Sequence, residues 1–338
     1  IFRLKNRTLL VTFDKKLNAL AVKSIIDQAT TEQTQIVIPK EKVKLFKSLV
    51  EETPQSVNQE EFVEKGSIAK RKGYFNNNNL IYTLEKGKKD IQIFNFDLTE
   101  THDFKHSAIN PDFGKETKDI SNYLYNNKLV LLGIDKEDIK LKTFDINTSK
   151  QTNSLSASND LNSIVTSDLM KEYIKTALKS SVKSTVTVNK TKSDKLEIHL
   201  DNVKEAEYNY NYNWFYTQWF FQQQQMMMQQ QMMMQQAAMN ARAMGGHPAP
   251  DDYFSEACIV VTEKKLSSLE FVIDIDFKPS PIENEETIYP KIDKEKYLDK
   301  YKEDKTMKNF SSAFTSDEVR FISLNPKTQT VSISYEKL

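Results

Sequence analysis

"NNNNLIYTLEKGKKDIQIFNFDLTETHDF", residues 76–104, decides the fold. It opens on an asparagine turn and runs into an apolar strand. A charged turn follows, then an alternating strand that ends Phe96-Asp97-Leu98, then a threonine turn. The same order of features returns in "YNNKLVLLGIDKEDIKLKTFDINTSKQTN", residues 125–153. Leu80 matches Leu129, and Phe96-Asp97-Leu98 matches Phe144-Asp145-Ile146. Alternation over six to eight residues between turn-forming residues is the mark of a strand hairpin.

Looser copies extend along the chain. An alternating strand runs into Asp14 in "TLLVTFDKKLNALAVKSI", into Asp201 in "TVTVNKTKSDKLEIHLDNVKEAEY" and into Asp276 in "CIVVTEKKLSSLEFVIDIDFK". Asn325 holds the position in "VRFISLNPKTQTVSISY". An Asp or Asn at the first position of a tight turn accepts a bond from the backbone two residues on. We therefore read Asp14, Asp97, Asp145, Asp201, Asp276 and Asn325 as structural turn residues, not as a catalytic or metal-binding ring. A hairpin period of about fifty residues is the length of one four-stranded propeller blade. The expected fold is all-β dominated: a β-propeller of about six or seven blades with helical insertions between strands. The alternative is a β-sandwich with a helical domain; recurrence from Asp14 to Asn325 argues against it.

The strands "DIQIFNFDLTE" and "IKLKTFDINTSK" resemble the inner-to-outer strand hairpins of β-propeller repeat proteins. The resemblance covers most of the chain but lacks the Trp-Asp dipeptide, and there are only 7 glycines. It is similar to divergent propellers of Gram-negative cell envelopes. That likeness implies a periplasmic or outer-membrane-associated, secreted or lipid-anchored binding module, and no activity.

Three helical insertions are expected. Over 167–181, Leu169, Met170, Tyr173, Ile174, Ala177 and Leu178 share one face behind a Ser/Asp cap. Over 291–304, Tyr297, Leu298 and Tyr301 line one side of a charged helix; 40–52 is the third.

Residues 208–250 stand apart. No charged side chain occurs from Tyr208 to Ala241, in a chain that is 28% charged. All methionines except Met170 and Met307 fall here, mixed with glutamine. Met, Gln and Ala favour a helix, so 213–243 is read as mostly one helix. On it, Trp219, Met226 and Met233 form one column, and Phe220, Met227 and Met234 the next. Met228 and Met232 occupy the remaining side, so apolar surface goes all round. We assign the segment as a partner-binding element on Trp214, Phe215, Trp219, Phe220, Met226, Met227, Met233 and Met234. Two other readings stand beside it: an expanded repeat without a role, and soft-metal binding by thioethers with His247. The chain divides into blades over 1–207, the insertion over 208–250 and blades over 251–338.

Composition narrows the rest. Lys+Arg and Asp+Glu both number 47, so no net field draws nucleic acid. The lone Cys258 lies in the apolar run "ACIVV" and is read as a core thiol. The uncharged stretch is long enough to cross a membrane, but its glutamines would be buried in lipid unpaired. The start at Ile1 is compatible with a removed leader or a preceding lipid anchor. No phosphate loop, nucleophile elbow, zinc-protease or Cys-x-x-Cys motif occurs. "HDFKH" sets His102 and His106 about 13 Å apart on a strand, too far for one metal. His199 in "LEIHLD" is read as a hydrogen-bonded strand residue. No catalytic residue, metal ligand or cofactor is assigned. The expected function is a non-enzymatic scaffold that binds other, membrane-associated protein subunits without spanning the membrane. The alternative is a carbohydrate-binding or carbohydrate-active propeller enzyme.

Overall fold

The computed structural model describes residues 2–206 and 262–338, apart from 4–6, 15, 27–29, 58, 60–66, 88–89, 100–102, 163, 281–284, 293–296, 299–300, 302–309, 315–317 and 326–329. The insertion residues from Trp214 to Met234, together with His102, His247 and Cys258, lie outside the described residues.

The described chain is mostly β and forms five sheets. The first joins β1 (Phe2–Arg3), β2 (Arg7–Asp14), β3 (Ala19–Ile26) and β4 (Thr30–Val37). Helix α1 (Val43–Leu49) follows and buries Phe46 and Leu49. The second sheet holds β5 (Gln55–Ser56), β6 (Arg71–Asn76), β7 (Asn79–Lys86), β8 (Asp90–Asp97) and β9 (Phe104–Ile109). The third holds β10 (Asp119–Tyr125), β11 (Lys128–Ile134), β12 (Ile139–Asp145) and β13 (Gln151–Ser156). Helices α2 (Ala157–Asp160) and α3 (Ser167–Ala177) lead to the fourth sheet. That sheet comprises β14 (Val182–Lys190), β15 (Leu196–Ala206) and β16 (Thr262–Ile273). The fifth comprises β17 (Phe310–Phe314), β18 (Glu318–Asn325) and β19 (Thr330–Lys337). Within each sheet the strands follow chain order, and every pairing but β5 with β6 is antiparallel.

The second and third sheets share one pairing scheme. Leu80 opposes Phe96 and Asn79 opposes Asp97, as Leu129 opposes Phe144 and Lys128 opposes Asp145. Ile91 and Ile93 oppose Glu85 and Thr83; Ile139 and Leu141 oppose Ile134 and Leu132. The asparagine turns reach positive φ at Asn77, Asn78 and Asn126, at 47°, 60° and 50°. Asparagine tolerates this region better than other residues with a Cβ.

Strands buried on both faces read as apolar runs rather than clean alternation. Thus Leu80, Tyr82, Phe94 and Phe96 join Phe2, Leu20 and Phe46 in one core, between the first two sheets. The opposite face, with Tyr74, Ile81, Ile91 and Ile93, joins a second core that continues through the third sheet to Val186, Ile198 and Phe271 of the fourth. The fifth sheet keeps a separate cluster, Phe314, Val319 and Phe321, against Tyr297, Leu298 and Tyr301. Helix α3 buries Met170, Tyr173, Ile174 and Ala177, but Leu169 is 55% exposed. The helix starts after Thr166, whose side chain makes no capping bond, so the expected Ser/Asp cap is absent. Among the described residues no helix is long and apolar enough to cross a membrane.

The turn residues divide. Asp14 Oδ1 accepts from the Lys16 and Leu17 amides at 2.9 and 3.0 Å. Asp97 Oδ1 accepts from Thr99 at 2.8 Å, and Asp145 Oδ1 accepts from Asn147 and Thr148 at 3.1 and 2.8 Å. Asp276 lies inside its turn, whose acceptor is Asp274, bonded to the Asp276 and Lys278 amides at 2.9 and 2.7 Å. The correction follows from strand length: β16 ends at Ile273, so the turn opens two residues earlier than the alternation suggests. Asp201 closes no turn. It lies within β15, opposite Thr185 and Ser268, because that strand continues to Ala206. Asn325 is the last residue of β18, and the turn after it lies outside the described residues. Asp145→Ala should cost about 1 kcal/mol in urea unfolding, with the slope unchanged, as for loss of a local capping bond.

Candidate functional site

Two of the buried polar groups among the described residues gather ionisable side chains from several strands. The first lies where β10, the opening strand of the third sheet, runs between β7 of the second sheet and β14, the opening strand of the fourth. Lys72 is buried and donates from Nζ to the Asn122 carbonyl at 2.8 Å, with Glu85 Oε1 3.9 Å away. Asn122 Nδ2 donates to Glu85 Oε1 at 2.7 Å, and Thr83 Oγ1 donates to Asn122 Oδ1 at 2.8 Å. Burial raises the Glu85 carboxyl to about 7, against the downward pull of Lys72 and of the Asn122 bond. Nearby, Lys183 pairs with Asp119 at 2.7 Å across β14 and β10. The cleft bounded by Glu85, Asp119, Ser121, Lys183 and Ser184 has room for about one water molecule.

The second group lies on the fourth sheet. One face of that sheet is apolar: Val186, Leu200 and Leu269 form one row, and Val188, Ile198 and Phe271 the next. The other face carries the intervening positions. Thr187, His199 and Glu270 form a row across the three strands, and Asn189 and Glu197 start the next. Partners across an antiparallel ladder bring their side chains together on one face, as do residues two apart along a strand. Glu197, His199 and Glu270 therefore converge. His199 Nε2 lies 2.6 Å from Glu197 Oε2, and Nδ1 lies 3.2 Å from Glu270 Oε1.

A loop completes the group. Thr287 bridges Thr191, and the Ile288 amide donates to the Lys190 carbonyl at 2.8 Å. This brings Lys291 Nζ to 2.7 Å from Glu197 Oε1 and 4.0 Å from Glu270 Oε2. Burial alone would raise the Glu197 carboxyl; the bonds from His199 and Lys291 outweigh it and hold the group below its ordinary range. Ligand atoms from Glu197, His199 and Glu270 lie within 4.8 Å of one another. One imidazole and two carboxylates form a donor set that zinc and other divalent first-row metals use.

His199, expected from the sequence to be a hydrogen-bonded strand residue, has partners that the sequence does not mark. The alternation Glu197, His199, Asp201 against Leu196, Ile198, Leu200 was a signal for one polar face. Glu270 and Lys291 had none, since both arrive through pairing across the long insertion and a distant loop. His106 Nε2 lies 2.9 Å from Gln92 Oε1, on a different sheet. The eight aromatic and methionine positions assigned to partner binding lie outside the described residues. No protein-family model and no curated protein matches the chain.

Proposed function

We propose that the chain is a divergent β-propeller acting as a non-enzymatic scaffold, with the Met/Gln-rich insertion as its contact element for another protein subunit. One observation carries the reading. Strands β15 and β16 are partners, and their ladder runs out to Ala206 opposite Thr262. Residues 207–261 are thus inserted at the tip of a hairpin whose two arms are already held together. The sequence suggested instead that the insertion separates two hairpins. An insertion at such a tip can be long without disturbing the sheet that bears it.

The propeller reading is supported by sheets that follow chain order and by the shared pairing scheme of the second and third. The scaffold reading is supported by polar contacts that tie neighbouring sheets together, the Lys72 ammonium to the Asn122 carbonyl and Lys183 to Asp119. The cell-envelope setting, in a larger outer-membrane-associated assembly, is proposed from the resemblance alone.

The test is to replace 207–261 by Asn-Gly, which suits a two-residue hairpin between paired residues. The thermal midpoint should stay unchanged while the co-purifying subunit is lost. Unfolding of the shortened chain would place the segment in the core. Retention of the partner would assign binding to another surface.

A further inference from the structure

We propose that Glu197, His199 and Glu270 form a binding site for a divalent transition metal, zinc being the best match to the donors, and that Lys291 holds the cation's place until the metal enters. The inference is separate from the contact role of the insertion and needs no reaction.

The geometry makes a three-ligand set. Two ligands stand two residues apart on β15, and the third stands on β16 directly across from His199. All three point to one face, so the metal would meet them from one side and keep open positions on the other. Structural zinc sites fill four positions with protein ligands, whereas three ligands leave room for water or an exogenous group.

Two further observations point to an occupant. Thr187, fully buried and directly across β14 from His199, has no hydrogen-bond partner for Oγ1 among the described residues. Asn189 Nδ2, across from Glu197, is in the same condition. Buried polar atoms are almost always bonded, so two orphans, one across from His199 and one across from Glu197, mark a place where something polar belongs. A metal-bound water would satisfy them, as outer partners do in known metal sites. The ammonium of Lys291 meanwhile rests against both carboxylates, so this face already attracts a cation. The Lys291 side chain is half exposed and free to swing out to solvent as the metal takes its carboxylate contacts.

The test is calorimetric titration of the untagged full chain with zinc chloride. Zinc should bind at one site per chain with a rise in thermal midpoint. His199→Ala should weaken that site at least tenfold, and so should Glu270→Gln, whose half-exposed side chain makes it the safer variant for folding. Lys291→Gln should tighten binding several-fold, since it removes the competing cation. His106→Ala, on the second sheet, should change nothing. The proposal fails if the chain takes up no stoichiometric zinc, or if His199→Ala and Glu270→Gln bind as the parent does. Weaker binding in Lys291→Gln would show that Lys291 supports the site instead of competing for it, and would overturn the exchange.

Discussion

Lys72→Ala should lower the stability of the protein by about 3–5 kcal/mol at pH 8, the cost of removing one partner of a buried charged pair. The ammonium is held by the Asn122 carbonyl and faces Glu85, which is itself buried and bonded to Asn122. Removing it leaves a carboxylate without its cation and pushes that carboxyl further upward. Replacing both partners, Lys72→Met with Glu85→Leu, should cost clearly less than Lys72→Ala, because no buried charge is then left alone. Equal losses in the two variants would mean that packing, not charge, dominates here.

The same pair sets a pH dependence. The folded Glu85 carboxyl is raised to about 7 from an ordinary 4.5, with burial the leading cause. The folded state therefore holds this proton more tightly than the unfolded chain. Its stabilising contribution is complete below pH 4.5 and is lost as pH rises through 7. The interval corresponds to about 3 kcal/mol. Glu85→Gln should flatten that part of the stability profile, measured by urea unfolding at successive pH values. A profile that keeps its slope would move the titration to another group.

What was legible in the sequence was what local chemistry decides. The asparagine turns, the hairpins around Leu80 and Phe96, and the helix at Ser167–Ala177 follow from alternation, turn residues and helical spacing. Asp14, Asp97 and Asp145 act on amides two residues away, so their bonds depend on nothing distant. Asp201 shows the limit. It sits in a strand like the others, and only pairing with Ser268 on one side and Thr185 on the other keeps that strand running past it. The Glu197–His199–Glu270 group shows the same limit more sharply. Half of it is readable in "LEIHLD", but Glu270 arrives from beyond a 55-residue interruption and Lys291 by way of a loop. Coupling across such distances is set by strand pairing, which a single sequence does not display.

Phe96 and Phe144 hold equivalent places in their own sheets, yet their loss should be felt in different parts of the molecule. Each is fully or nearly buried, and replacing either by alanine should cost about 3–5 kcal/mol. Phe96 belongs to the core between the first two sheets. Its ring meets Tyr82 at 6.0 Å, Phe104 at 5.1 Å and, from α1, Phe46 at 6.3 Å. Phe46 in turn meets Phe13 of the first sheet at 5.7 Å. Phe144 belongs to the larger core that continues into the fourth sheet. Phe96→Ala should therefore speed amide exchange in β2, β3 and α1 first, while β11 and β12 keep their protection until global unfolding. Phe144→Ala should do the reverse. A double-mutant cycle on Phe46 and Phe96 should return a coupling of about 0.5–1.5 kcal/mol, as expected for an edge-to-face pair. If both single variants loosen all sheets alike, the two cores open as one cooperative unit, and stacking sheet on sheet does not divide this fold.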